Sequence, residues 1–129
     1  MHINASIYEN GSLGLLIDKA FFSEVASVAA RETLPRFRQF NEIDNKYTTG
    51  FDPVTEADRA AERAIRAVIG REFPDHGILG EEYGPENIDR SHVWVIDPVD
   101  GTRAFISGLP VWGTLVGLTV DGDAKAGMM

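Results

Sequence analysis

The order of patterns in this sequence predicts an α+β fold, with helices layered on a largely antiparallel sheet. Three observations carry it. Residues 13–40 and 55–73 repeat apolar side chains at three- and four-residue steps, the period of a one-sided helix. Beyond residue 77 the pattern changes to short apolar runs at Ile78–Leu79, Val93–Ile96 and Val111–Val120. Asp121-Gly122-Asp123 is a hairpin turn before the return strand Lys125–Met129, so strands at that end run antiparallel. Helices first and strands later is the order of an α+β layered domain.

Composition narrows the classes of function. The 129 residues suffice for one domain with a real core, and 43% hydrophobic with 25% charged residues is ordinary globular composition. Without cysteine there are no disulfides and no thiolate zinc sites, and a cytoplasmic location is expected. A net charge of −8 argues against a nucleic-acid partner and suits either solvated acids or acids awaiting a metal. No run approaches a membrane span, and the N-terminus lacks the basic-then-apolar order of a signal peptide. There is no internal repeat.

Along the chain, residues 1–12 have no period and are expected to be a flexible lead. Residues 13–129 form one unit. In the first helix Ile17, Phe21, Val25, Val28 and Ala29 share a face, and Pro35 ends or kinks it near Leu34. Asn41 to Phe51 is polar, a loop or hairpin carrying one basic residue, Lys46. Thr55 then fits a helix N-cap, with Asp58 three residues on as in a capping box. Ala61, Ile65, Val68 and Ile69 make the apolar face, Glu62 and Arg66 an i,i+4 pair, and Phe73-Pro74 the stop. Asp58 is open to two readings, a cap alone or a site residue. Ile78-Leu79-Gly80 is a strand end carrying Glu81 and Glu82. Adjacent strand side chains point oppositely, so only one of the two is expected to face a given site. Tyr83 to Ser91 is expected to be loop. Histidines 2, 76 and 92 are scattered, read as surface or loop residues without a metal role.

Val93-Trp94-Val95-Ile96 is expected to be a buried strand that ends in an acid, Asp97, and turns at Pro98. Asp100-Gly101 makes a corner and Thr102 starts a short helix that Gly108 ends. Asp-Pro and Asp-Gly are also plain turn chemistry. Yet Asp58, Glu81/Glu82 and Asp97/Asp100 are three acidic clusters, each at an element end. Hard oxygen donors in that number suit Mg²⁺, and two ions roughly 3.5–4 Å apart can clamp the oxygens of a phosphoryl transfer. A calcium-binding loop is the weaker alternative, since the acids lack one-loop spacing. The return strand Lys125–Met129 is expected to be cut short. That would leave an open edge and mark a piece of a longer protein or a truncated product.

Asp-Pro-Val-Thr-Glu-Ala-Asp (52–58), Gly-Glu-Glu (80–82) and Trp-Val-Ile-Asp-Pro-Val-Asp-Gly-Thr (94–102) resemble, in order and spacing, the sequential signatures of the inositol monophosphatase family. The resemblance covers the chain from about Leu13. It implies the sugar-phosphatase fold and a lithium-sensitive, Mg²⁺-dependent phosphomonoesterase with two or three ions per intact site. It implies metal ligation by Glu81, Asp97, Asp100 and the Val99 backbone carbonyl, and phosphate binding by Gly101 and Thr102 N–H groups. Thr102, Asp58 and Glu81 take the catalytic roles, the first two positioning the attacking water. Lys46, Glu82 and Arg103 are candidate substrate contacts. Water attacks phosphorus in line, with no covalent phosphoenzyme.

The segment Asp-Gly-Thr-Arg-Ala-Phe-Ile-Ser-Gly-Leu-Pro-Val-Trp-Gly-Thr-Leu (100–115) looks like the histidinol-phosphate phosphatase branch, which serves histidine biosynthesis. Inositol phosphate, or another sugar or nucleotide phosphate, is the alternative substrate. A further alternative is a truncated metal- or phosphate-binding module without turnover. The resemblance also implies a homodimer acting on a small phosphorylated substrate. The family's further Asp, in a Trp-Asp-x-Ala-like motif, has no counterpart here, so these 129 residues alone are expected to be nearly inactive.

Overall fold

The computed structural model describes residues 6–7, 17–39, 43–46 and 53–129. His2, Asp52, the helix start expected at Leu13, and most of the lead and of the 41–51 loop lie outside them. The first helix, α1 (Lys19–Thr33), begins six residues later than the apolar period suggests, because Asp18 caps it: Asp18 Oδ1 accepts from the Phe21 N–H at 3.0 Å. It ends in a single 3-10 turn, Leu34–Arg36, that contains Pro35. Strands β2 (Asp44–Asn45) and β3 (Pro53–Val54) pair antiparallel, which selects the hairpin reading of this region. The second helix, α2 (Glu56–Glu72), is bounded as predicted, with Thr55 at its N-cap and Phe73 at its C-cap.

Short strands β1 (Ser6–Ile7), β4 (Gly77–Gly80) and β5 (Gly84–Glu86) join three longer elements. These are β6 (His92–Asp100), β7 (Gly113–Val120) and β8 (Asp123–Met128). They form one sheet in the order β1-β8-β7-β6-β4-β5. Only β4 and β6 run parallel, so the sheet is largely antiparallel as expected. The β7–β8 turn is Asp121-Gly122, both at positive φ (51° and 87°), matching the twist of the strands it joins. Helices α1 and α2 cover one face. Phe21, Phe22, Val25, Ile65, Ile69, Trp94, Ile96 and Leu118 form the core there. Trp94 sits at its centre, with Phe21 and Phe22 at ring-centroid distances of 5.1 and 6.1 Å.

Five expectations are corrected. Val95 is 42% exposed, so β6 alternates between covered and open faces and is not buried on both. The strand does not stop at Pro98 but runs to Asp100. The missing N–H falls in the register shift between Asp97 and Asp100, beyond the end of the β4 pairing at Ile96, and there it breaks no ladder bond. Tyr83–Ser91 is not all loop, since β5 folds back on β4 after a tight turn that polar composition hides. Ser6 and Ile7 pair with Gly127 and Ala126, so that part of the lead is strand and meets the edge of β8 expected to be open. His76 lies in the loop before β4 as expected, but His92 opens strand β6, and both are partly buried. Their rings stack at 4.6 Å, and His76 Nδ1 accepts from Trp94 Nε1–H at 3.0 Å.

Candidate active site

The site lies where β6 leaves its partners. Asp97, Val99 and Asp100 are its last residues, and Gly101 turns the chain into helix α3 (Thr102–Ile106). Gly101 has φ 88°, and a Cβ there would stand 3.0 Å from the Val111 carbonyl, so glycine is required by backbone and by space. A small apolar platform supports the turn. Val99 and Phe105 are buried with Ala57, and Phe37 and Trp112 pack beneath, with Phe105–Trp112 ring centroids 4.9 Å apart. Thr114 Oγ1 donates to the Pro98 carbonyl at 2.8 Å and pins the bulge from β7.

Asp58 answers both of its readings. It is 1% exposed. Its Oδ2 accepts from the Thr55 N–H at 2.9 Å and the Thr55 hydroxyl at 2.6 Å, which is the cap. Its Oδ1 accepts from the Thr102 hydroxyl at 3.0 Å. The Val99 carbonyl also lies 3.0 Å from that hydroxyl. One hydroxyl proton serves only one of the two acceptors at a time. The start of α2 and the end of β6 are thus tied through Thr102.

Across the site Lys46 Nζ stands 3.5 Å from Glu81 Oε1 and 2.9 Å from Glu82 Oε1. Both acids therefore meet one cation, contrary to the strand argument. The reason is that β4 ends at Gly80, and residues 81–83 are turn, where alternation no longer applies. Burial is the larger influence on Glu82 and raises its pKa, against the lowering effect of Lys46. Arg103 lies exposed in the first turn of α3.

Asp97 is the most perturbed group. Removal from water, a hydrogen bond shared with the Glu81 carboxyl, and the charges of Glu81, Asp100 and Asp58 push its pKa from 3.8 up to about 8. Its Oδ1 is buried without a hydrogen-bond partner. An unspent buried oxygen among mutually repelling carboxylates is what a hard cation relieves, and every donor is oxygen, so the residues present fit Mg²⁺ in kind. Among the described residues, however, no three His, Asp or Glu side chains form a metal-holding cluster as they stand. An open cleft of about 410 Å³ adjoins Asp100, lined by Val111, Trp112, Gly113 and Met129.

Sequence reasoning paired Glu62 with Arg66, as the structure does at 2.9 Å, but missed that Glu62 takes the amides of the turn, and missed Thr114. The signal for Glu62 was available. It lies with Asp58, Ile65 and Ile69 on the stripe that α2 buries, and a carboxylate on a buried stripe needs partners.

A carboxylate-crowded strand end beside a helix start, on an α+β layered scaffold, offers oxygen donors that suit a hard cation in kind. Comparison with known sequences goes further: the profile of the Inositol monophosphatase family matches residues 18–129, and the chain belongs to that family. A histidinol-phosphatase of Mycobacterium tuberculosis is 41% identical over 100 residues, covering 76% of this chain and 38% of the relative. An inositol-1-monophosphatase of Synechocystis is 37% identical over 108 residues, 83% of this chain and 37% of that protein. Among solved structures, the Thermotoga maritima IMPase superposes with a TM-score of 0.75 at 33% identity, over 84% of this chain and 41% of that one. The chain thus spans about two fifths of the length of these relatives. No described helix is long and apolar enough to cross a membrane.

Proposed function

We propose that this chain carries the cation- and phosphate-facing half of a Mg²⁺-dependent phosphomonoester hydrolase. In the whole protein that enzyme acts on a small phosphorylated metabolite, histidinol phosphate before inositol phosphate. The observation that carries the reading is Asp97, with its unpartnered buried oxygen among Glu81, Asp58 and Asp100. Glu81, Asp97, Asp100 and the Val99 carbonyl would hold the ions. A bound divalent cation supplies Lewis acidity toward the phosphoryl oxygens and lowers the pKa of water.

The protein's own residues do the rest. Asp58 Oδ1 accepts the hydrogen bond of the Thr102 hydroxyl, which would leave the Thr102 oxygen to accept from an incoming water. The N–H groups of Gly101 and Thr102, first-turn amides without intrahelical partners, would be offered to phosphate. With five residues α3 contributes these N–H directions rather than a long helix dipole. Lys46 pairs with Glu81 and Glu82 and, like Glu82 and Arg103, would contact substrate in this reading.

The substrate preference is supported by similar proteins. Proteins of Mycobacterium tuberculosis, Chlorobaculum parvum and Streptomyces coelicolor, each 41% identical, are called histidinol-phosphatase. Inositol-1-phosphate is the second reading, favoured by the Synechocystis relative. The test is Mg²⁺-dependent phosphate release from L-histidinol phosphate and myo-inositol 1-phosphate by the whole protein, by this 129-residue chain and by Asp97→Asn. Preference for histidinol phosphate, abolished in Asp97→Asn and inhibited by Li⁺, supports the reading. Preference for inositol phosphate moves the substrate and keeps the site. Cation binding without hydrolysis by the whole protein makes it a binding module.

A further inference from the structure

Glu62 is fully buried in α2, and none of its oxygen capacity goes to its own helix backbone. Oε2 accepts the Glu82 N–H at 2.7 Å, and Oε1 accepts the Tyr83 N–H at 3.1 Å and Arg66 Nε–H at 2.9 Å. The remaining amide of the turn, that of Glu81, donates to the Ile96 carbonyl at 3.1 Å, next to Asp97. All three N–H groups of the β4–β5 turn are thus spoken for, two of them by one carboxylate. Arg66 reaches past the turn, giving Nη2 to the Gly84 carbonyl at 2.5 Å and Nη1 to Glu86 Oε2 at 3.1 Å. At Gly80 a Cβ would overlap the Glu62 carboxylate, so the strand carries no side chain where the carboxylate sits.

We propose that Glu62, steadied by Arg66, is a positioning residue that holds the Glu81–Glu82 turn so that both carboxylates face the cation site. This rests on the reading of Glu81 as a cation ligand. A stable hairpin does not need this device. Short hairpin turns close on their own backbone, and a buried ion pair adds little stability over apolar packing. What the carboxylate adds is one fixed turn geometry. Asp58 and Glu62 lie one helical turn apart on α2, about 6 Å along the axis, so one rigid helix face sets the spacing between the Thr102 half of the site and the Glu81 half.

The test uses the full chain and Mn²⁺ as the probe ion, titrated by electron paramagnetic resonance. Amide exchange at Glu82 and Tyr83 is measured separately in chelator. Glu62→Gln leaves one acceptor oxygen for three donors and turns an NH₂ toward them. It is expected to speed exchange at both amides and to weaken Mn²⁺ about 10–100-fold, the usual cost of losing an outer partner of a ligand. Val68→Ala destabilises the same helix without touching the turn and is expected to leave Mn²⁺ affinity within about twofold. Glu81→Gln tests the underlying reading directly. If Glu81→Gln weakens Mn²⁺ while folded Glu62→Gln binds like wild type, the positioning role is overturned and the cation reading stands. If wild type binds no Mn²⁺, or Glu81→Gln binds like wild type, the cation reading fails and takes the positioning role with it. If Glu62→Gln does not fold, Arg66→Lys decides: it keeps a cation beside Glu62 but loses the reach to Gly84, and unchanged exchange and affinity in it overturn the proposal.

Discussion

Asp97→Asn is expected to make the ion-free chain more stable while abolishing its use for cations. In the folded chain the Asp97 carboxyl holds its proton up to about pH 8, against 3.8 for an ordinary aspartate. A group that binds its proton more tightly folded than unfolded costs stability as pH rises between those two values. The shift is about four pH units at ~1.4 kcal/mol each, which sets a ceiling of ~6 kcal/mol above pH 8. Asp97 is only partly buried, and it shares its hydrogen bond with Glu81, so water and that partner reduce the expected gain to ~1–3 kcal/mol. Asparagine keeps the shape and removes the ionisation. The assay is urea unfolding of both proteins in chelator at pH 4, 6, 8 and 9. The variant's advantage should be near zero at pH 4, grow through pH 8 and then level off. An advantage equal at every pH would show that shape or packing, not charge crowding, governs this residue. A loss of stability at pH 8 would refute the electrostatic account of the site.

His76 carries the opposite pH dependence. Burial and the neighbouring His92 hold its pKa below 6.5, so the folded chain resists its protonation and stability should fall as pH drops below about 6.5. Since Trp94 Nε1–H donates to His76 Nδ1, His76→Phe should remove this acid sensitivity, followed by tryptophan fluorescence during unfolding at pH 5 and pH 7.5. Gly101→Ala, forced to φ 88° against the Val111 carbonyl, should lower unfolding free energy by ~1–3 kcal/mol and disorder the turn, measured by urea unfolding. Thr102→Val keeps the volume but loses the proton shared by Asp58 and Val99. It should reduce turnover of the whole protein by about 10²-fold or more with KM little changed, read from steady-state kinetics.

The parts of this molecule that follow local rules were legible. Thr55 and Asp58 announced the start of α2, Asp121-Gly122 announced the β7–β8 hairpin, and the Asp-Gly-Thr corner after β6 lies where its residues say. What stayed hidden depends on contacts distant in sequence. Whether Pro98 ends a strand depends on which neighbour is still paired beside it, and the β4 ladder stops two residues earlier. Whether Glu81 and Glu82 diverge depends on where β4 stops, and beyond Gly80 the Glu82 amide bonds a carboxylate twenty residues upstream. The Ser6–Ile7 pairing with β8 closes across almost the whole chain and has no local signature. In the site itself the residue types were readable, but the physical oddity of Asp97, one carboxylate oxygen buried without a partner, exists only once Glu81, Asp58 and Asp100 are brought around it.

Two different supports hold the two halves of that constellation, and their chemistry matches what each must do. The Asp100–Thr102 turn rests on aromatic packing, Phe37, Phe105 and Trp112, which is dense but non-directional and fixes position through volume. Among the described residues, the Glu81–Tyr83 turn rests on no such apolar cluster. It is held instead by directed bonds from its amides to Glu62 and to the Ile96 carbonyl. A turn whose side chains must carry like charges cannot gather apolar neighbours around them without raising the cost of each charge. Holding it by its backbone leaves the side chains of Glu81 and Glu82 to meet charge, and Lys46 does so here, at 3.5 Å from Glu81 and 2.9 Å from Glu82.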